Sequence, residues 1–186
     1  MLGAMRPARL AALLTLSATA AVGAFPAIVP AAGACGGQST ARALGQEGAR
    51  AALLCVVNEQ RAQRGLPAVA SSLALRSAAQ GHTDDMVARA YFGHVGTGEP
   101  GLADRVGATG YLSHRYDWFL GEALGWAEGA AATPDHLMNA WMASPPHQAV
   151  ILDPRYRDLG VGVDLAPPAA GVKDGVTVTL DFGLAR

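Results

Sequence analysis

The chain has 186 residues, 51% of them hydrophobic and 16% charged, and 14 Lys/Arg against 15 Asp/Glu leave a formal charge of −1. That near-neutral balance, with the basic residues scattered, argues against nucleic acid or an anionic membrane surface as a partner. The apolar content suits one packed domain and excludes a disordered chain.

Residues 1–34 read as a signal peptide and leader. Arg6 and Arg9 precede an apolar run over 10–24, the arrangement of an export signal. The run is shorter than the roughly 20 residues a membrane span needs. We therefore expect a secreted, extracellular chain with no transmembrane span once the leader is removed. The small residues Val22-Gly23-Ala24 and Ala32-Gly33-Ala34 offer two cleavage points. Cleavage at the second would leave Cys35 first, which opens an alternative, a chain lipid-anchored through Cys35.

Residues 35–50 form an N-terminal arm, and 51–186 the domain. The two cysteines, Cys35 and Cys55, are an even count in an exported chain and point to one disulfide. It would close a loop of about 20 residues and contribute about 3 kcal/mol. The competing reading makes Cys55, between Leu54 and Val56 on an apolar helical face, a buried free thiol. Neither cysteine belongs to a zinc-type spacing.

Helical spacing of Leu53, Leu54, Val57 and Arg61 predicts a first helix over 50–64, stopped by Gly65. A second is predicted from a Ser71 or Ser72 cap to about Ala90, with Leu75, Ala79 and Met86 on its apolar side. His82, Asp84 and Asp85 on that helix read as a solvated face. Thr133-Pro134 opens a third helix carrying Leu137, Met138 and Trp141, and Pro145-Pro146 ends it. The period then changes. Residues 159–165 and 176–182 alternate as strands around a Pro/Gly-rich loop. Helices first and strands last give an α+β domain.

Three separated segments each set a histidine or carboxylate beside Gly, Pro or aromatic residues: Tyr91-Phe92-Gly93-His94, Gly121-Glu122 and Trp141-Met142-Ala143-Ser144-Pro145-Pro146-His147. Such neighbours aim a polar side chain into a cleft. Their order, with Asn58-Glu59-Gln60-Arg61 before them and Asp181-Phe182-Gly183 after, resembles the CAP superfamily (cysteine-rich secretory proteins, antigen 5 and pathogenesis-related 1 proteins, or SCP domains) in its bacterial form. The resemblance covers about 51–183. It implies a three-layer α-β-α sandwich with a small antiparallel sheet and a large cleft lined by His94, Glu122 and His147. Several members coordinate a divalent metal there, so the resemblance implies that these three residues could hold zinc or a similar ion. It also implies that Asn58 and Arg61 brace the loops behind the cleft.

The chain departs from the family pattern twice. Ser144 stands where a second glutamate is expected, and Ala123 where an asparagine follows Gly-Glu. With no second carboxylate beside the metal there is no evident general base. The resemblance therefore favours an extracellular binding module, for a small apolar ligand, a cell-wall fragment or a protein partner, over an enzyme. The alternatives are a metal-assisted hydrolase or peptidase and a purely structural extracellular protein. Glu122 has a plain competing role as the ion-pair partner of Arg105 or Arg115.

Overall fold

The computed structural model describes residues 35–186; the signal peptide and leader lie outside them. Helix α1 (Ala41–Ala62) begins earlier than predicted, so most of the arm is helical. Thr40 caps it by accepting from the Ala43 N–H at 3.3 Å. The chain bends at Gly45, whose φ of 69° is left-handed. Strand β1 (Ala70–Ser71) leads into α2 (Leu73–Ala88), capped by Ser72 as expected. Next come α3 (Leu102–Ala108), β2 (Trp118–Glu128), α4 (Pro134–Met142), α5 (Pro145–Ile151), β3 (Asp158–Asp164) and β4 (Gly175–Ala185).

Further features depart from the sequence reading, beyond the added β1 and α3. The residues around Gly121-Glu122 form a long strand, β2. The double proline does not merely end α4: Pro145 and Pro146 open α5, where a missing N–H costs nothing. The sheet, in the order β1-β3-β4-β2, is mixed, because the two-residue β1 runs parallel to β3 while the other pairs are antiparallel.

Helix α2 packs on β3 and β4 from one side, while α1 and α4 cover the other, with α1 on β3 and β4 and α4 on β2. The α-β-α layering follows from the two faces of β4. Val176, Val178, Leu180 and Phe182 join the main core with Leu53, Val57 and Trp141. Thr177, Thr179 and Asp181 alternate with them and are equally buried, so the second face is polar yet buried. Thr83 on α2 meets it by donating to Thr179 Oγ1 at 2.8 Å. Close approach of α2 depends on Gly160 and Gly162, where a Cβ would collide with the helix backbone at Leu75, Arg76 and Ala79.

Arg61 is fully buried and donates to the carbonyls of Pro67 (2.9 Å), Ile151 (2.7 Å) and Asp153 (3.0 Å). The Asn58 amide exchanges two hydrogen bonds with the Val69 backbone. Both residues tie the first helix to the loops behind the sheet. Cys35 and Cys55 form a disulfide, so the free-thiol reading is set aside. A sulfur joined in this way has no valence left for a lipid thioether.

Candidate functional site

The site is built on the polar face of the sheet. Glu122 on β2 lies directly opposite Asp181 on β4, so their side chains share one face. The loop after α2 brings His94 over Glu122, and α3 brings Arg105.

Glu122 is the hub. Its side chain is 4% exposed, and it has two partners. Oε1 lies 2.6 Å from His94 Nδ1, and Oε2 pairs with Arg105. A carboxylate only accepts, so His94 Nδ1 carries the hydrogen and the ring's Nε2 is left as the free acceptor when the imidazole is neutral. The His94 side chain is 60% exposed. Arg105 also donates to the carbonyls of His94 (3.1 Å) and Pro100 (3.0 Å), fixing the loop as well as the carboxylate. The plain ion-pair role expected of Glu122 is present, with Arg105 as the partner.

His82 corrects an expectation. It is buried, not part of a solvated face, and its Nε2 lies 3.1 Å from the Gly93 carbonyl. Burial, reinforced by the nearby Arg105 charge, pushes its pKa below the usual imidazole value, so the neutral ring donates to Gly93 and holds the segment that carries His94. Tyr91 and Arg89 brace the same loop through Glu99, at 2.6 and 3.1 Å.

Asp181 was legible only as part of the closing Asp-Phe-Gly. It is fully buried, and as a carboxylate neither oxygen would have a donor among the described residues. Burial above all, and then the charge of Glu122, pushes its carboxyl well above the usual carboxylate range. Two acids buried side by side disfavour both carrying charge, and that cost falls on Asp181, the one without a cationic partner. Strand alternation puts Thr177, Thr179 and Asp181 on one face; that a helix covers this face follows from the three-layer sandwich the resemblance implies, not from the alternation itself.

His147 comes near His94 but does not join the hydrogen-bonded pair. Its Nδ1 lies 2.9 Å from Ser144 Oγ, and burial first, then the nearby His94, lowers its pKa. It lines a groove of about 280 Å³ that follows the outer edge of β2, with Phe92, Leu124, Trp126 and Leu137 as its walls. Trp141 closes the floor, its indole N–H bonded to the Leu124 carbonyl at 2.7 Å.

As a metal centre the donor set is incomplete. Both oxygens of Glu122 are engaged, and His94, Glu122 and His147 do not offer one donor atom each within 4.8 Å of one another. Among the described residues the trio that does so is Cys35, Cys55 and Glu59, and its two sulfurs form the disulfide.

A family model described as "CAP: Cysteine-rich secretory protein family" matches residues 54–181. "Uncharacterized membrane protein YlbC" of Bacillus subtilis is 31% identical over 114 residues, 60% of this chain but 30% of that protein. The chain thus spans under a third of that relative's length. Two solved structures share the fold. An extracellular protein containing a SCP domain from Bacillus anthracis has a TM-score of 0.56 at 21% identity, over 76% of this chain and 40% of that one. An outer surface protein from Borrelia burgdorferi has a TM-score of 0.57 at 16% identity, over 72% of this chain and 90% of that one. Among the described residues no helix is long and apolar enough to cross a membrane.

Proposed function

The chain belongs to the CAP, or cysteine-rich secretory protein, family, and on that premise we propose that it is an extracellular binding module. Its cleft takes a small ligand with an apolar body and a hydrogen-bond donor at one end. The body lies in the groove of Phe92, Leu124, Trp126 and Leu137, and the donor meets the imidazoles of His94 and His147. The observation that carries this reading is the double engagement of Glu122. With both oxygens committed, it orients His94 and leaves Nε2 as the recognition atom. An apolar groove ending in a few placed polar groups is the usual form of a small-molecule site. The names of the two solved neighbours, one extracellular and one an outer surface protein, support export.

One observation favours a second reading. A carboxylate on the far nitrogen of a histidine is the support that metal-bound imidazoles receive. In that reading His94 and His147 would hold the ion, which would supply Lewis-acid chemistry; among the described residues no third protein donor stands ready.

Phenol, an aromatic ring with one donor, is the probe that tests the first reading. By NMR it should shift the Trp126 indole and the His147 ring, and bind about tenfold tighter than toluene, a loss of one hydrogen bond. The His94→Ala variant should lose that preference. Equal binding of phenol and toluene would overturn the reading, and stoichiometric zinc uptake lost in His94→Ala would establish the second.

A further inference from the structure

The edge of β3 away from β4 is only partly covered. Strand β1 covers only Asp158 and Leu159, and the Ser72 N–H ends that pairing on the Leu159 carbonyl at 3.0 Å. Further along, the Gln80 side chain substitutes for a strand. It donates to the Val163 carbonyl at 3.1 Å and accepts from the Val163 N–H at 2.9 Å. Backbone groups turn to the same edge at alternate residues. Val161 therefore presents its N–H and C=O between these two covers, and no described residue bonds either one.

A pocket of about 210 Å³ opens at this point, between α1 and α2, with Leu54, Leu159 and Val161 among its walls. Its mouth is cationic. Arg50 is 9% exposed; it bonds Glu47 and Gln80 at 2.6 Å each, and its Nε has no acceptor among the described residues. Arg76 pairs with the same Glu47 oxygen. One carboxylate thus already bridges two guanidiniums, and it belongs to a side chain that is 71% exposed and able to turn into water. Two arginines against one glutamate leave the mouth with an excess positive charge.

We propose that this slot binds the C-terminal end of a short extended peptide. The free carboxylate takes the place of Glu47 on Arg50 and Arg76, a peptide group pairs with the Val161 N–H and C=O, and a small apolar side chain rests on Leu54 and Leu159. Strand addition supplies the backbone bonds, and carboxylate capture sets the end of the chain. The volume lies below the roughly 300–1,000 Å³ of drug-sized sites, which limits the slot to one or two residues. The covers on either side leave one backbone pair free, which fits the same limit.

The probe is N-acetyl-alanyl-alanine, as the free acid and as its C-terminal amide, titrated into the 15N-labelled full chain. The acid should saturate a shift of the Val161 amide, and the C-terminal amide should bind at least about tenfold more weakly, since it lacks the charge-assisted bonds. Arg76→Gln should weaken the acid by a similar factor. Glu47→Gln should tighten it, because the competing carboxylate is gone; were Glu47 only a brace for the pocket, the same change would weaken binding. Three results would each overturn the proposal: equal binding of acid and amide, weakening by Glu47→Gln, or an unmoved Val161 amide up to roughly ten millimolar probe.

Discussion

Removing the Glu122 carboxylate strands two groups at once: Arg105, whose side chain is 8% exposed, and the Nδ1–H of His94. A buried ion pair deprived of one member costs about 3–5 kcal/mol. Glu122→Ala should therefore lose about that much in urea unfolding, and a loss below about 1 kcal/mol would mean that Arg105 finds water instead. The two buried titrating groups shape the pH profile in opposite ways. Asp181 is raised from 3.8, so the stability it contributes is complete below that pH and declines as the pH rises towards its folded value. His82 is lowered from 6.5, so its contribution is complete above that pH and is lost as the pH falls. Melting temperatures across this range should show Asp181→Asn gaining on the wild type as the pH rises above 3.8. His82→Gln, which keeps a neutral donor for Gly93, should flatten the fall below 6.5. Unchanged slopes in both variants would contradict these assignments.

Strand β4 explains why elements were easier to read than their environments. Its alternation was plain from Val176 to Phe182, but alternation does not distinguish a solvated polar face from one buried under a helix. Gly160 and Gly162 held the missing signal, because small residues in a strand mark a close backbone approach. Gly162→Ala should cost about 1–3 kcal/mol or more by overpacking against Ala79 and Thr83. Trp141→Ala should cost about 3–5 kcal/mol, since the indole fills core volume and covers the Leu124 carbonyl at the β2 edge. A value near zero would place Trp141 on the surface of the groove. Strand β2 escaped the sequence reading because Gly121 and Gly125 interrupt its pattern; both lie against aromatic rings, Tyr156 and Trp141, that leave no room for a side chain.

For the whole molecule, the ordered motifs led from sequence to family, to the layered α+β fold and to His94 beside Glu122. They offered Arg105 as an ion-pair partner for Glu122 but did not reveal it as the clamp on the His94 loop, nor Asp181 beside Glu122, because these roles arise from contacts between elements separated in sequence. His147 was brought only into the neighbourhood: it lines the groove and bonds Ser144, the residue standing where the family has a glutamate. The central claim is that Glu122 fixes His94 so that its Nε2 faces the cleft as an acceptor. The most direct measurement is the tautomer of His94 from long-range 15N–1H NMR, at a pH where its ring is neutral. The wild type should show a protonated Nδ1 and a bare Nε2, and Glu122→Ala should relax this to a mixture. A proton on Nε2 in the wild type would contradict the orienting role of Glu122 and the ligand geometry that rests on it.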